Sequence, residues 1–513
     1  MKRLIQVLGI IALLIVVALN IFYTADMNSG EQVSIKANKF IYVIGLLFVA
    51  LLIYFVTEII NKWLYNGVNE EKKRKLRKTI AALLIGIYLI ICVVWLILVR
   101  PGIVADSIHV LNLAQTYYEN NPTKYLPNLT YAGIPLIQYM QAYPHQITLA
   151  FVYNVLFSIL HTDLIILPRI FNVFFNLLII LALYKIVKQL SKSYKVNNTR
   201  MFVLILTLFT IPMLSTFMYG DIPALAMSLF SVYLMMRYTE TKQIKYGIFA
   251  SMLTMIAYMM RMNTLIFIIA TVIYLTLNLL ENFRKKELRE KLINFAVIAI
   301  FLIMSFIPSN LVKEYYLKKY NLEKGNTYPS ISYFLMAMEE GPRANGWYNE
   351  TIAEPALRSL KTGENISEEY KGKIKDRMKY FLGDPVYTFN FYKDKLTTTW
   401  AESTYSAMFN NGITEESNMN WMKNLLTFYQ KMLIILTSGC VVIVLIQNRK
   451  KLSLELIFLV TIFLGGFCFH ILWEAKSRYI DAYIVALIPA ASICIKSTGL
   501  KEKIIKKLKS KMN

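Results

Sequence analysis

The chain has 513 residues, of which 56% are hydrophobic, and a mean hydropathy of +0.46. One soluble core of ordinary proportions cannot enclose that much apolar surface, so the composition excludes a soluble globular enzyme and points to an integral membrane protein. Lys and Arg, 56 in all, outnumber the 32 Asp and Glu. The excess sits in short runs beside apolar stretches, a signal of membrane topology and not of nucleic-acid binding.

Crossing about 30 Å of hydrocarbon takes roughly 20 residues of helix, the open-chain structure that satisfies its own backbone there. Thirteen apolar segments are candidates. In chain order they are Leu4–Phe22, Phe40–Ile60, Thr79–Val99, Gln146–Leu160, Ile166–Val187, Met201–Tyr219, Ile222–Tyr238, Tyr246–Met260, Thr264–Leu280, Leu292–Ile307, Asn424–Ile446, Ser453–Trp473 and Tyr479–Ile495. The expected fold is an all-α polytopic bundle of about 12 to 13 transmembrane helices. No small-residue cleavage site precedes the polar stretch after the first segment, so that segment is read as an anchor and not a signal peptide.

Basic runs at the N-terminus, at Glu70–Lys78, at Phe283–Lys291 and in the tail from Lys496 are expected on the cytoplasmic side. Counting crossings inward from the two ends gives answers that differ by one. The conflict is confined to Gln146–Val187, whose short first segment is expected to be only partly embedded. Both counts put the Arg100–Pro144 loop, Gly220, Asp221, Arg261, the Pro308–Lys423 stretch and the turn Glu474–Arg478 on the extracytoplasmic side. The expected organisation is two N-terminal helices in 1–62 and a helical module in 79–308 with an outer loop at 100–145. An extracytoplasmic domain in 309–423, C-terminal helices in 424–495 and a basic cytoplasmic tail in 496–513 follow.

Cys92, Cys440, Cys468 and Cys494 all lie inside apolar runs at no metal-like spacing. The chain has no Gly-rich phosphate loop, HExxH or CxxC pattern, so ATP-driven transport is not indicated. His145, His161 and His470 are scattered. No metal site is expected, and a divalent ion is compatible with the outer acids without being indicated by them.

The chemistry-bearing candidates fall at the outer ends of the segments. Asp106 follows the third segment, among Tyr, Asn and Gln, where a carboxylate suits a general base facing hydroxyls. A solvated loop acid is the plain alternative. His109 shares its face at i+3 if the local chain is helical. Asp221, in YGDIPAL, reads either as a helix cap or as a second carboxylate of the same site. Arg261 interrupts an apolar stretch, and an ionisable residue at membrane depth is a site candidate by default. Snorkelling to the interface is its plain reading. Glu474, Lys476 and Arg478 gather in one turn, where two cations on the outer face call for an anionic partner.

Taken in order, PGIVADSIHVLNLA, YPHQITLAFVYNVLFSIL, LPRIFNVFFNLLIILALYKIV, YGDIPALAMSLF, RMNTLIFI and EAKSRYIDAYIVALIP resemble the GT-C membrane glycosyltransferases. Within these, they resemble the branch of protein O-mannosyltransferases and bacterial aminoarabinose transferases. The resemblance spans roughly Ile80 to Ile495. It implies a sugar donor carried on a polyprenyl phosphate, Asp106 as catalytic base and Asp221 as second acid. It also implies Arg261, Lys476 and Arg478 near the lipid phosphate, with His109 and Glu474 among the substrate-binding groups. The implied partners are the bilayer, the lipid donor and an acceptor that is a cell-surface polymer, a lipid or a protein, with no nucleic acid. Many relatives carry Asp-Glu where this chain has Asp106-Ser107, and the two N-terminal helices precede the region of likeness. A transporter or flippase of lipid-linked saccharides is the alternative from another class, since outer acids and bases can also line a substrate path.

Overall fold

A computed structural model describes residues 1–99, 101–104, 106–121, 130–131, 134–281, 283, 287–322, 327–414 and 417–495. The basic tail 496–513, and parts of the predicted 100–145 loop and of the basic run at 283–291, lie outside the described residues. Every one of the thirteen apolar segments lies in helix, the segment at 201–219 a broken one. The chain is an all-α polytopic membrane protein, and among the described residues eight helices are long and apolar enough to cross a bilayer.

Boundaries move where local chemistry extends a helix. The third begins at Glu70, with the Asn69 side chain accepting from the Lys72 amide at 2.9 Å, so the basic run Glu70–Lys78 is itself helical. The helix Leu288–Lys319 runs through Pro308 and some twelve residues beyond the apolar segment, into what the sequence assigns to the outer domain. Membrane helices tolerate proline because neighbouring groups take up the freed backbone.

Pro144–Leu160 has both ends at the same end of the bundle. Gln146, in its first turn, donates to Tyr219, and Gln115 of the Ser107–Glu119 helix donates to the Asp163 side chain just past its last turn, at 3.1 Å. The next helix, Ile166–Leu190, starts at that same end, where Arg169 donates to the Pro101 carbonyl at 2.8 Å. With Pro144–Leu160 lying across one end of the bundle, the two crossing counts agree.

The two N-terminal helices belong to the bundle. Gln6 donates to the Leu445 carbonyl at 2.8 Å, and Asn20 donates to the Trp400 carbonyl at 2.9 Å. Between them Tyr23–Met27 and Val33–Ala37 pair as an antiparallel hairpin. At the far end Glu58 pairs with Arg200, which is fully buried, donates to the Ala491 carbonyl at 3.0 Å and lies over the Tyr54 ring. Close approach between the last two helices depends on Gly466, where a Cβ would lie 2.3 Å from the Tyr483 ring.

Candidate active site

Asp106 immediately precedes the helix Ser107–Glu119, yet its side chain makes no capping hydrogen bond. The carboxylate is turned the other way and accepts from the Tyr219 hydroxyl at 2.9 Å. Tyr219 is itself buried and accepts from the Gln146 amide. The acid is thus held by a neutral donor, with no cation among the described residues hydrogen-bonded to it, and remains partly accessible. His109 sits one turn on and packs its ring 4.8 Å from Tyr139. Burial pulls its imidazole below the ordinary range, against the pull of Asp106, which favours the neutral ring.

Asp221 opens its helix as the first residue, and Gly220 takes the cap position with φ of 81°. A Cβ there would lie 2.6 Å from the Met260 carbonyl oxygen. Only glycine satisfies both the left-handed backbone and that approach. The close contact brings Asp221 beside Arg261, the residue after Met260. Arg261 Nε lies 3.0 Å from Asp221 Oδ1, and Arg478 Nε lies 3.9 Å from the same oxygen. The side chains of Asp221, Arg261 and Arg478 are only 15%, 13% and 5% exposed. Asp221 thus lies in the first turn of its helix without being the cap residue, and the Arg261 side chain is turned onto it.

Both guanidinium groups also lie against aromatic faces. Arg261 is 4.5 Å from the centre of the Tyr219 ring, and Arg478 is 4.3 Å from Phe217 and 5.4 Å from Tyr219. Tyr219 therefore stands between two halves of the site: its hydroxyl holds the acid at one edge, and its ring lies near two cations. Among the described residues Asp221 Oδ2 and Arg478 Nη1 are buried with no hydrogen-bond partner, so acceptor and donor capacity remain.

Glu474 and Lys476 are arranged otherwise. Glu474 is buried, and its backbone amide donates to the Tyr333 carbonyl at 3.1 Å. Burial pushes its carboxyl up, to about 7, against the opposing charge of Lys476. Lys476 donates to Glu31, a residue of the N-terminal hairpin, and does not join the Asp221 cluster. The turn is further fixed by Lys395, whose ammonium donates to the carbonyls of Ala337, Ile471 and Trp473 at 2.9, 2.9 and 3.1 Å.

The sequence reading missed Tyr219 and Asp481. Tyr219 directly precedes the Gly220-Asp221 pair, and that adjacency was the available signal. Asp481 follows Arg478 by three residues on the helix Ser477–Ala491 and is buried, with Oδ1 lacking a hydrogen-bond partner among the described residues. Among the described residues no group of three His, Cys, Asp or Glu side chains is placed to hold a metal ion.

Residues 145–308 match the family model described as dolichyl-phosphate-mannose-protein mannosyltransferase. That stretch holds Asp221 and Arg261 and leaves out Asp106 and the 474–478 turn. Among solved structures, the chain is similar to the Archaeoglobus fulgidus oligosaccharyltransferase in complex with an inhibitory peptide and a dolichol-phosphate. The identity is 12%, the alignment covers 85% of this chain and 52% of that one, and the TM-score is 0.43. The apo form of that enzyme gives 12% identity, 84% and 52% coverage, and the same TM-score of 0.43. The chain thus spans about half the length of these structures. No curated protein matches the chain by sequence.

Proposed function

We propose that the protein transfers a sugar from a polyprenyl-phosphate-linked donor to an acceptor hydroxyl on the extracytoplasmic face, with inversion at the anomeric carbon. The observation that carries this reading is the division of labour around Tyr219. A carboxylate hydrogen-bonded to a neutral hydroxyl stands at its edge, and two guanidinium groups converging on one half-buried acid lie against its ring.

In the proposed reaction the acceptor oxygen attacks the anomeric carbon as Asp106 takes its proton. The bond from that carbon to the phosphate oxygen breaks, and the lipid phosphate leaves with the electron pair. General-base assistance is worth about 10²- to 10⁴-fold. Arg478 and Arg261 supply the positive field for the departing phosphate, a role suited to preorganised cations in a site sheltered from water. Asp221 holds both guanidinium groups in place.

The test is sugar transfer by the purified protein in lipid, with a polyprenyl-phosphate sugar as donor and extracts of surface glycans or secreted protein as acceptor. Transfer that needs Asp106 supports the reading. Movement of the intact lipid-linked saccharide across the bilayer, with no sugar transferred, supports the flippase alternative instead.

A further inference from the structure

The N-terminal helices lie outside both the family match and the likeness read from the sequence, yet their hairpin reaches the catalytic turn. Glu31, at its tip, is buried and receives Lys476 on Oε1 and Arg343 on Oε2. Arg343 continues to Glu350, with Nη2 2.5 Å from Oε1, and its carbonyl accepts from the Val33 amide at 2.8 Å. Glu31 itself has φ of 60°, in the left-handed region that a residue with a side chain seldom occupies. Non-glycine residues held there cluster where surrounding structure imposes the conformation.

The receiving side is as well fixed. Lys476 is the cap residue of the helix Ser477–Ala491, and Arg478 lies in that helix's first turn. The Ala475 amide donates to the Gly346 carbonyl at 2.9 Å, and Ala475 packs with Met27, Ala344 and Trp347. The hairpin, the 343–347 loop and the catalytic turn are therefore one packed unit, and Glu31 is its ionic joint.

From this geometry we infer that Glu31 is a positioning residue: it holds Lys476, and through it the start of the last helix, so that Arg478 reaches Asp221. The inference rests on the proposed transferase reading. Lys476 then serves the site from outside it, its ammonium being spent on Glu31 and not on the lipid phosphate. The two N-terminal helices become part of the catalytic assembly.

The experiment compares the full-length parent, Glu31→Gln, Lys476→Met and the double variant, measuring kcat and donor KM per folded, monodisperse molecule. A misplacement of about 1 Å can cost on the order of 10²-fold in rate, so each single variant is expected to lose about tenfold or more in kcat, with donor KM within about threefold. Since both residues act through one contact, the double variant is expected to be no slower than the slower single one. Parental kcat in Glu31→Gln, or losses that multiply in the double variant, would overturn the inference. A rise in donor KM confined to Lys476→Met would overturn it too, by making Lys476 a direct phosphate ligand. Should Glu31→Gln fail to fold, Lys476→Met decides by the same split between kcat and KM. Absence of transfer by the parent defeats the transferase reading and this inference with it, whereas transfer by the parent that Glu31→Gln leaves intact defeats this inference alone.

Discussion

The Tyr219 hydroxyl donates to Asp106 Oδ2 at 2.9 Å, joining a residue beside the fourth helix to one that directly precedes Gly220 and Asp221. Removing that hydroxyl while keeping the ring separates its two roles. Tyr219→Phe retains the aromatic face under Arg261 and Arg478 but leaves Asp106 without its donor. A hydrogen bond to a charged group is worth about 1.5–3 kcal/mol, so kcat is expected to fall by roughly 10- to 100-fold with the fold intact. Steady-state transfer kinetics and a melting curve check this, and an unchanged kcat would separate Tyr219 from the base.

Gly220 carries the backbone that aims Asp221. Gly220→Ala forces a Cβ to within 2.6 Å of the Met260 carbonyl and places a side chain at φ of 81°. Strain of this kind costs about 1–3 kcal/mol. The expected outcome is a lowered melting temperature and a larger proportional loss of activity, because the turn that moves holds Asp221. A variant with parental activity would show that the turn can yield without disturbing the acid.

Arg478→Lys keeps the charge and loses the planar fork. A guanidinium can touch Asp221, the Phe217 ring and a phosphate at once, whereas an ammonium on a flexible stem cannot. We expect kcat to fall by about 10- to 100-fold, corresponding to the loss of one charge-assisted contact in the transition state. Retained activity in the lysine variant would mean that only net charge matters there.

Glu474 predicts a pH dependence of stability. Burial raises its carboxyl from 4.5 to about 7, so the folded protein favours the protonated form more than the unfolded chain does. That contribution is fully present below about pH 4.5 and is lost as pH rises through about 7. Glu474→Gln is expected to flatten the fall in melting temperature across this window and to be relatively more stable at its upper end. Thermal unfolding in detergent over the same range checks the sign, and an identical slope in both proteins would contradict it.

The helices were legible because thirteen stretches of apolar sequence near spanning length leave the backbone little alternative in lipid. The gathering of Asp106, Asp221, Arg261 and Arg478 was legible for a related reason. Charges at the ends of such stretches are few, and the count of crossings puts them on one side. What distance in sequence hid was the pairing. Lys476 called for an anionic partner from its place on the outer face, but the one it pairs with, Glu31, lies 445 residues away in a polar stretch with no motif. The hairpin holding Glu31 also escaped notice: YTADM and VSIKA each alternate apolar with polar residues, but five residues apiece is a faint signal beside apolar runs of spanning length. Tyr219 was passed over for being one of 34 tyrosines, and its contacts with Asp106, Arg261 and Arg478 set it apart.

The most direct test of the central claim is the transfer rate of Asp106→Asn, with donor binding measured on the same preparation. Asparagine keeps the size of the side chain and an acceptor for Tyr219 but cannot take the acceptor's proton. The account predicts that transfer falls by about 10²-fold or more, as loss of a general base requires, while affinity for the polyprenyl-phosphate sugar stays within about threefold. Transfer at the parental rate would contradict the assignment of Asp106 as base.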